Sequence, residues 1–164
     1  PMSSFAPTEQ RIDVTRRRYP GFPRGPAVLT RLIRHLAKRQ LDEANQVLKR
    51  WGINHPEYNL LMMLCGAENQ RLTPSELGEA AGEKLANITR LTNGLVERGL
   101  LQREPSDEDR RKISLSLSEE GAAMIDSFLP AITELLLRQL GSLNAAEQRQ
   151  LEKLLKKMLA GMEG

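Results

Sequence analysis

The sequence predicts a mainly α-helical protein with one small β-hairpin, an α+β fold. Three observations predict it. Between Leu72 and Gly121, a capped helix, a glycine turn and a second helix run into two short strands joined by a charged loop. On both sides of that segment, apolar residues recur at helical spacing over long stretches. In Ile113-Ser-Leu-Ser-Leu117, apolar and polar residues alternate, which marks a half-buried strand. Helix, turn, helix and hairpin in that order form a winged helix-turn-helix, a layout that can set a helix in the major groove of DNA.

Taken from the N-terminus, residues 1–25 read as an arm. Thr8 to Ile12 is a possible short helix. From Arg16 to Pro26 the density of Pro and Gly is expected to exclude regular structure. Arg16, Arg17 and Arg18 could touch a DNA backbone, or the arm could pack on a partner subunit. Pro26 opens a long helix to about Trp51, ended by Gly52. Leu29, Leu32, Ile33, Leu36, Ala44, Val47 and Trp51 lie on one side of it; Arg31, Arg34, His35, Lys38 and Asp42 lie opposite. His35 on that polar side reads as a solvated or interface histidine. Pro56 starts the next helix, with Asn54 or His55 as its cap. The run Leu60 to Cys65 is apolar without a break, so Cys65 reads as a small core residue.

Thr73-Pro-Ser-Glu76 has the form of a capping box, with proline at the first helical position. Gly82 can stop this helix by taking positive φ. The second helix runs from about Lys84 to Arg98. Leu85, Ile88, Leu91 and Leu95 form its expected buried stripe. The opposite face carries Ala86, Thr89, Arg90, Asn93 and Glu97. Arg can pair with guanine, Asn with adenine, and Ala or Thr can meet a thymine methyl. An ordinary solvated helix shows such a face too; the hairpin that follows favours the DNA reading. Leu100 to Arg103 reads as its first strand. In the loop, Arg110, Arg111 and Lys112 could reach phosphates or a minor groove.

After the hairpin, Ser118 caps a helix through Phe128, which Pro130 should kink or interrupt. It resumes to Leu140. Asn144 with Glu147 is another cap pair. The last helix has Leu151, Leu154, Leu155, Met158, Leu159 and Met162 on one stripe. That is more leucine than a small module needs, so a partner is implied, most simply a second copy. Residues 26–54 and 119–164 therefore read as a helical dimerisation region and 55–118 as the winged helix-turn-helix.

These motifs resemble the MarR family of bacterial regulators. The resemblance lies in Leu72 to Gly78, in Asn87-Ile-Thr-Arg-Leu91 with Leu95 to Leu100, and in Asp107 to Gly121. Ser4 to Gln10, Leu29-Thr-Arg-Leu32 and Gly52-Ile-Asn54 look like the branch that represses a multidrug-efflux operon. The resemblance implies a homodimeric, ligand-responsive transcription regulator, expected to be a repressor, on a pseudo-palindromic operator. It also implies a small aromatic acid, a phenol or a drug-like compound as effector. On this reading Arg90 and Asn93 meet bases; Lys84, Asn87 and Thr89 mainly position phosphates, beside Ala86; Arg110 and Arg111 serve the wing. Arg31, His35, Trp51 and Met62 are the candidate effector contacts. One departure is Glu83-Lys84-Leu85, where many members carry small hydroxyl residues; a glutamate near phosphates is unfavourable.

Composition agrees with this reading. The chain has 164 residues, a formal net charge of +3 and a sequence pI near 9.3, which permits nucleic-acid binding without demanding it. From Glu83 to Lys112, seven basic side chains stand against six acidic ones, which argues for specific contacts over a broad electrostatic grip. Aromatic content of 4% speaks against a single-strand binder. One cysteine forbids an internal disulfide, and a cytoplasmic setting is expected, with no membrane association. Two histidines and one cysteine offer no zinc set, and no phosphate loop or catalytic triad stands out; neither a cofactor nor enzymatic activity is expected. Two alternatives remain open: a winged-helix protein–protein adaptor, and a redox regulator built on Cys65, although no thiolate-stabilising site is evident.

Overall fold

The structure, a computed structural model, describes residues 3–106 and 111–164. Its elements are α1 (Ala6–Arg18), α2 (Arg24–Leu48), a 3-10 turn (Lys49–Trp51), α3 (His55–Gly66), β1 (Arg71–Leu72), α4 (Pro74–Ala81), α5 (Leu85–Glu97), β2 (Leu101–Pro105), β3 (Ile113–Leu117), α6 (Glu119–Leu140) and α7 (Ala145–Glu163). The chain divides into two units, Pro1–Gln46 and Val47–Gly164. Among the described residues no helix is long and apolar enough to cross a membrane.

In the first unit, α1 is longer than the sequence suggests. Arg16, Arg17 and Arg18 form its last turn, where the helix dipole favours cations, and do not lie in an irregular arm. The proline-rich break shrinks to residues 19–23. α2 begins at Arg24, so Pro26 falls in the first turn, where a missing N–H costs no helical bond. Phe5 and Ile12 are buried, and the Phe5 ring meets His35 edge-on at 5.8 Å. Arg24 donates to Asp13 at 2.5 Å and to Glu9 at 3.1 Å, and the hydrogen bond from Arg24 holds the Asp13 carboxyl below its ordinary value.

The second unit is built around α3, which touches α4, α5, α6 and β3. Asn54 caps it, accepting from the Glu57 amide while the Glu57 carboxylate accepts from the Asn54 amide, both at 3.0 Å. Leu60, Leu61 and Leu64 face inward with almost no exposure. Cys65, expected in the core, is exposed. An unbroken apolar run does not say which side of a helix is covered. At about 100° per residue, Cys65 lies about 40° beyond Leu61, at the edge of the stripe made by Leu60, Leu61 and Leu64.

The sheet is antiparallel with order β1-β3-β2. β2 and β3 are the expected hairpin, with Leu101 opposite Leu117 and Pro105 opposite Ile113. β1 pairs Arg71 with Ser116 and Leu72 with Leu115, and two residues are too few to carry a strand pattern in sequence. Ile113 departs from its expected inward position and is 52% exposed, because it pairs at the tip end of the hairpin, beyond the core. α6 runs through Pro130 without interruption. The proline forfeits one helical hydrogen bond, but Ile125, Phe128, Ile132 and Leu135 are buried on both sides of it.

The start of α4 supplies a pH prediction. Glu76 accepts from the Thr73 amide at 2.6 Å and from the Thr73 hydroxyl at 2.9 Å, and these bonds, with a smaller attraction from Lys112, hold its carboxyl below the ordinary value. A carboxyl shifted down contributes stability that is complete above its unfolded-state value and is lost as pH falls through its folded-state value. Glu76→Gln is therefore expected to melt below the wild type at neutral pH, with the gap closing on acidification. Paired thermal melts from neutral pH to about pH 3 measure this; a gap independent of pH would remove the carboxylate from the account.

Candidate nucleic-acid interface

α4 and α5 meet at a turn that needs Gly82. Its φ of 63° is in the left-handed region, and the Gly82 amide closes α4 by donating to carbonyls at its end. Lys84, extended and exposed, stands at the N-cap of α5. Ile88, Leu91 and Leu95 are buried at 0%, 5% and 0% exposure, as the periodicity requires. Leu85 is the exception, at 55% exposed. It lies about 60° around the helix from Ile88 and only about 40° from Thr89, so it sits at the edge of the stripe. Thr92 takes the inward position, 2% exposed, with its hydroxyl donating to the Thr89 carbonyl.

The opposite face is open. Ala86, Thr89, Arg90, Asn93 and Glu97 are all exposed, and Asn87 is half-buried. These side chains are linked to one another. Asn87 Nδ2 donates to Glu83 Oε2 at 2.8 Å, and Arg90 Nη2 donates to Asn87 Oδ1 at 2.9 Å. Thr89 turns its hydroxyl back to the Leu85 carbonyl at 2.9 Å. Arg103 on β2 donates to Asn93 Oδ1. Glu83, read from sequence as a hindrance near phosphates, is thus also the anchor of Asn87. No local pattern in the sequence points to Arg103, since nothing there links a helix residue to a strand residue ten positions later.

The wing stands beside this helix, with α5 in contact with β2. Arg71 on β1 and Glu104 on β2 pair at 2.7 Å, a brace that crosses β3 from one edge strand to the other. Arg111 is exposed. Arg110 lies outside the described residues. Of the four candidate effector contacts, Arg31 is exposed and His35 half-buried on α2, with His35 Nε2 at 2.9 Å from Ser4 Oγ. Trp51 and Met62 belong to the second unit and are half-buried; Trp51 Nε1 donates to Ser127 Oγ at 2.7 Å. Arg31 and His35 thus belong to the first unit and Trp51 and Met62 to the second.

A polar, outward helix seated on a buried stripe, entered through a tight glycine turn and flanked by a three-stranded wing, defines a winged helix-turn-helix DNA-binding protein. Comparison with known proteins makes this specific. The chain belongs to the MarR family: the family's model matches residues 51–112. The Escherichia coli K12 transcriptional repressor MprA is 35% identical over 161 residues, which span 98% of this chain and 92% of MprA. Among solved structures, a mutant of Escherichia coli MarR in complex with operator DNA superposes with a TM-score of 0.72 at 29% identity, covering 80% of this chain and 93% of that one. The Bordetella bronchiseptica regulator BpsR, whose DNA binding is regulated by 6-hydroxynicotinic acid, shares the fold with a TM-score of 0.70 at 22% identity, covering 79% of this chain and 91% of that one. The chain is accordingly a DNA-binding transcriptional regulator, and its relatives are regulators, not enzymes.

Proposed function

We propose that the chain acts in the cytoplasm as a homodimeric repressor that holds a pseudo-palindromic operator until a small aromatic acid, phenol or drug-like effector releases it. The observation that carries the DNA part is the two-sidedness of α5: an inward stripe with almost no exposure, and an outward face of Ala86, Thr89, Arg90 and Asn93 open along its length. In this reading Arg90 and Asn93 meet base edges. Lys84, Asn87 and Thr89 position phosphates, and Arg110 and Arg111 serve the wing.

The dimer reading is supported by α7, which has no buried residue; Leu154, Leu159 and Met162 are 55%, 55% and 74% exposed on its apolar stripe. A second copy covering that stripe sets two reading helices about one DNA turn apart, ~34–36 Å. The effector reading is supported by the case of BpsR. Arg31 and His35 offer the charge and hydrogen bonds an acid requires, while Trp51 and Met62 offer apolar contact. To release DNA, the effector must prefer the spacing that no longer fits the operator; tight binding alone shifts nothing.

The test is a binding titration on the chain's own upstream region at two salt concentrations. Binding should weaken as salt rises, through counterion release. Arg90→Ala should cost about 1–3 kcal/mol on the cognate site and relax its sequence preference. Unchanged affinity and preference in Arg90→Ala would remove the base-reading role. If no aromatic acid, phenol or drug-like compound releases the operator, effector control is lost. Salt-independent, sequence-blind association would favour the adaptor reading.

A further inference from the structure

The reading face of α5 is internally paired before any duplex arrives, and that pairing constrains what its amides can read. A guanidinium carries only donors and a carboxylate only acceptors. The orientation of each amide therefore follows from its partners. Asn87 must turn its amino group to Glu83 and its carbonyl to Arg90, so both halves of its amide are engaged. Asn93 must turn its carbonyl to Arg103, which leaves its Nδ2 amino group with no partner among the described residues.

Bidentate recognition of adenine uses both halves of an asparagine amide: the carbonyl accepts from N6 and the amino group donates to N7. An Asn93 held by Arg103 has its amino group unengaged, while one of the two lone pairs of its carbonyl is already taken by the guanidinium. The guanidinium also places positive charge beside Asn93 Oδ1, which repels the amino hydrogens of adenine and attracts an acceptor edge. Guanine presents O6 and N7 as acceptors, and thymine presents O4.

We infer that Arg103, on β2 and outside the reading helix, determines the specificity of the DNA site: it holds the Asn93 carbonyl so that Asn93 prefers a guanine or thymine edge to adenine. The inference rests on the proposed base-reading role of Asn93. Arg103 acts here as a positioning residue, through Asn93.

The experiment is selection from a randomised duplex library at two salt concentrations, using the full chain as wild type, Asn93→Ala, Arg103→Ala and Arg103→Lys. Asn93→Ala identifies the operator position that Asn93 reads, by relaxing it. At that position the wild type should select guanine or thymine. Arg103→Ala should shift the preference toward adenine by about fivefold, the lower end of what one bidentate pair discriminates. Arg103→Lys, which keeps a cationic donor, should retain the wild-type preference. Thermal melts confirm that each variant is folded. Two results overturn the inference: a wild type that already selects adenine there, or an Arg103→Ala protein with unchanged preference and uniformly weaker, less salt-dependent binding, as a plain phosphate contact would give. A wild type that enriches no sequence overturns the DNA reading itself and this inference with it.

Discussion

Phe128→Ala is expected to lower the stability of the second unit by about 3–5 kcal/mol, the range found when a buried aromatic ring is removed and its cavity stays open. The Phe128 side chain is 0% exposed. Tyr58 stands 5.5 Å from its ring centre and Trp51 6.2 Å, both edge-on, so its loss removes two aromatic contacts along with the buried area. The cavity closes poorly because Trp51 is itself fixed by its hydrogen bond to Ser127. At about 2–4 °C per kcal/mol for a chain of this size, the apparent Tm should fall by roughly 6–20 °C. The lone tryptophan reports the same event directly, since its emission follows the packing around Phe128. Phe128→Leu keeps most of the volume and should cost less. A loss below about 1 kcal/mol for the alanine variant would show that these rings do not hold α6 to the module.

Gly121→Ala tests the joint between wing and α6, and two principles predict opposite signs. Helix propensity alone favours alanine over glycine by about 1 kcal/mol. Geometry opposes it: a Cβ at Gly121 would lie 2.1 Å from the Leu100 carbonyl oxygen and 3.1 Å from its carbon. That oxygen is backbone, and it already accepts from the Ser118 amide at 3.1 Å. Ser118 adds two more ties, accepting from the Gly121 amide at 2.9 Å and donating to the Gly99 carbonyl at 2.5 Å. Room for a methyl can come only from moving the first turn of α6 off the end of the reading helix and the base of the wing. The overpacking cost of about 1–3 kcal/mol should win, so the variant is expected to melt earlier than the wild type. Gly94→Ala in α5 is the control: nothing stands within 4 Å of its added Cβ, and it should hold or raise the Tm. If both variants were stabilising, the close approach at Leu100 would be wrong.

Hydrogen bonds that close within four residues were legible in the sequence. The caps at Thr73, Ser118 and Asn144 appear where local chemistry put them, and of the two residues offered for α3, Asn54 and not His55 is the cap. The same holds for the stop at Gly82 and for the hairpin of β2 and β3. Features that need a distant neighbour were not legible. Cys65 lies in an apolar run yet faces out, and Leu85 begins an apolar stripe yet lies beyond its cover. β1 exists because β3 offers it an edge. In the candidate site, the exposed residues of α5 could be named from periodicity alone, but the hold of Arg103 on Asn93 could not, because it spans a helix and a strand.

By itself, the sequence determined the order of the main helices and of the hairpin, most of their caps, the two faces of the reading helix and the family, since each follows from periodicity, local hydrogen bonding or motif. The tertiary structure alone decided which apolar residues are covered and how the polar groups of the reading face are paired. Burial and pairing depend on what a neighbouring element brings across space, and a side chain's own identity does not carry that information.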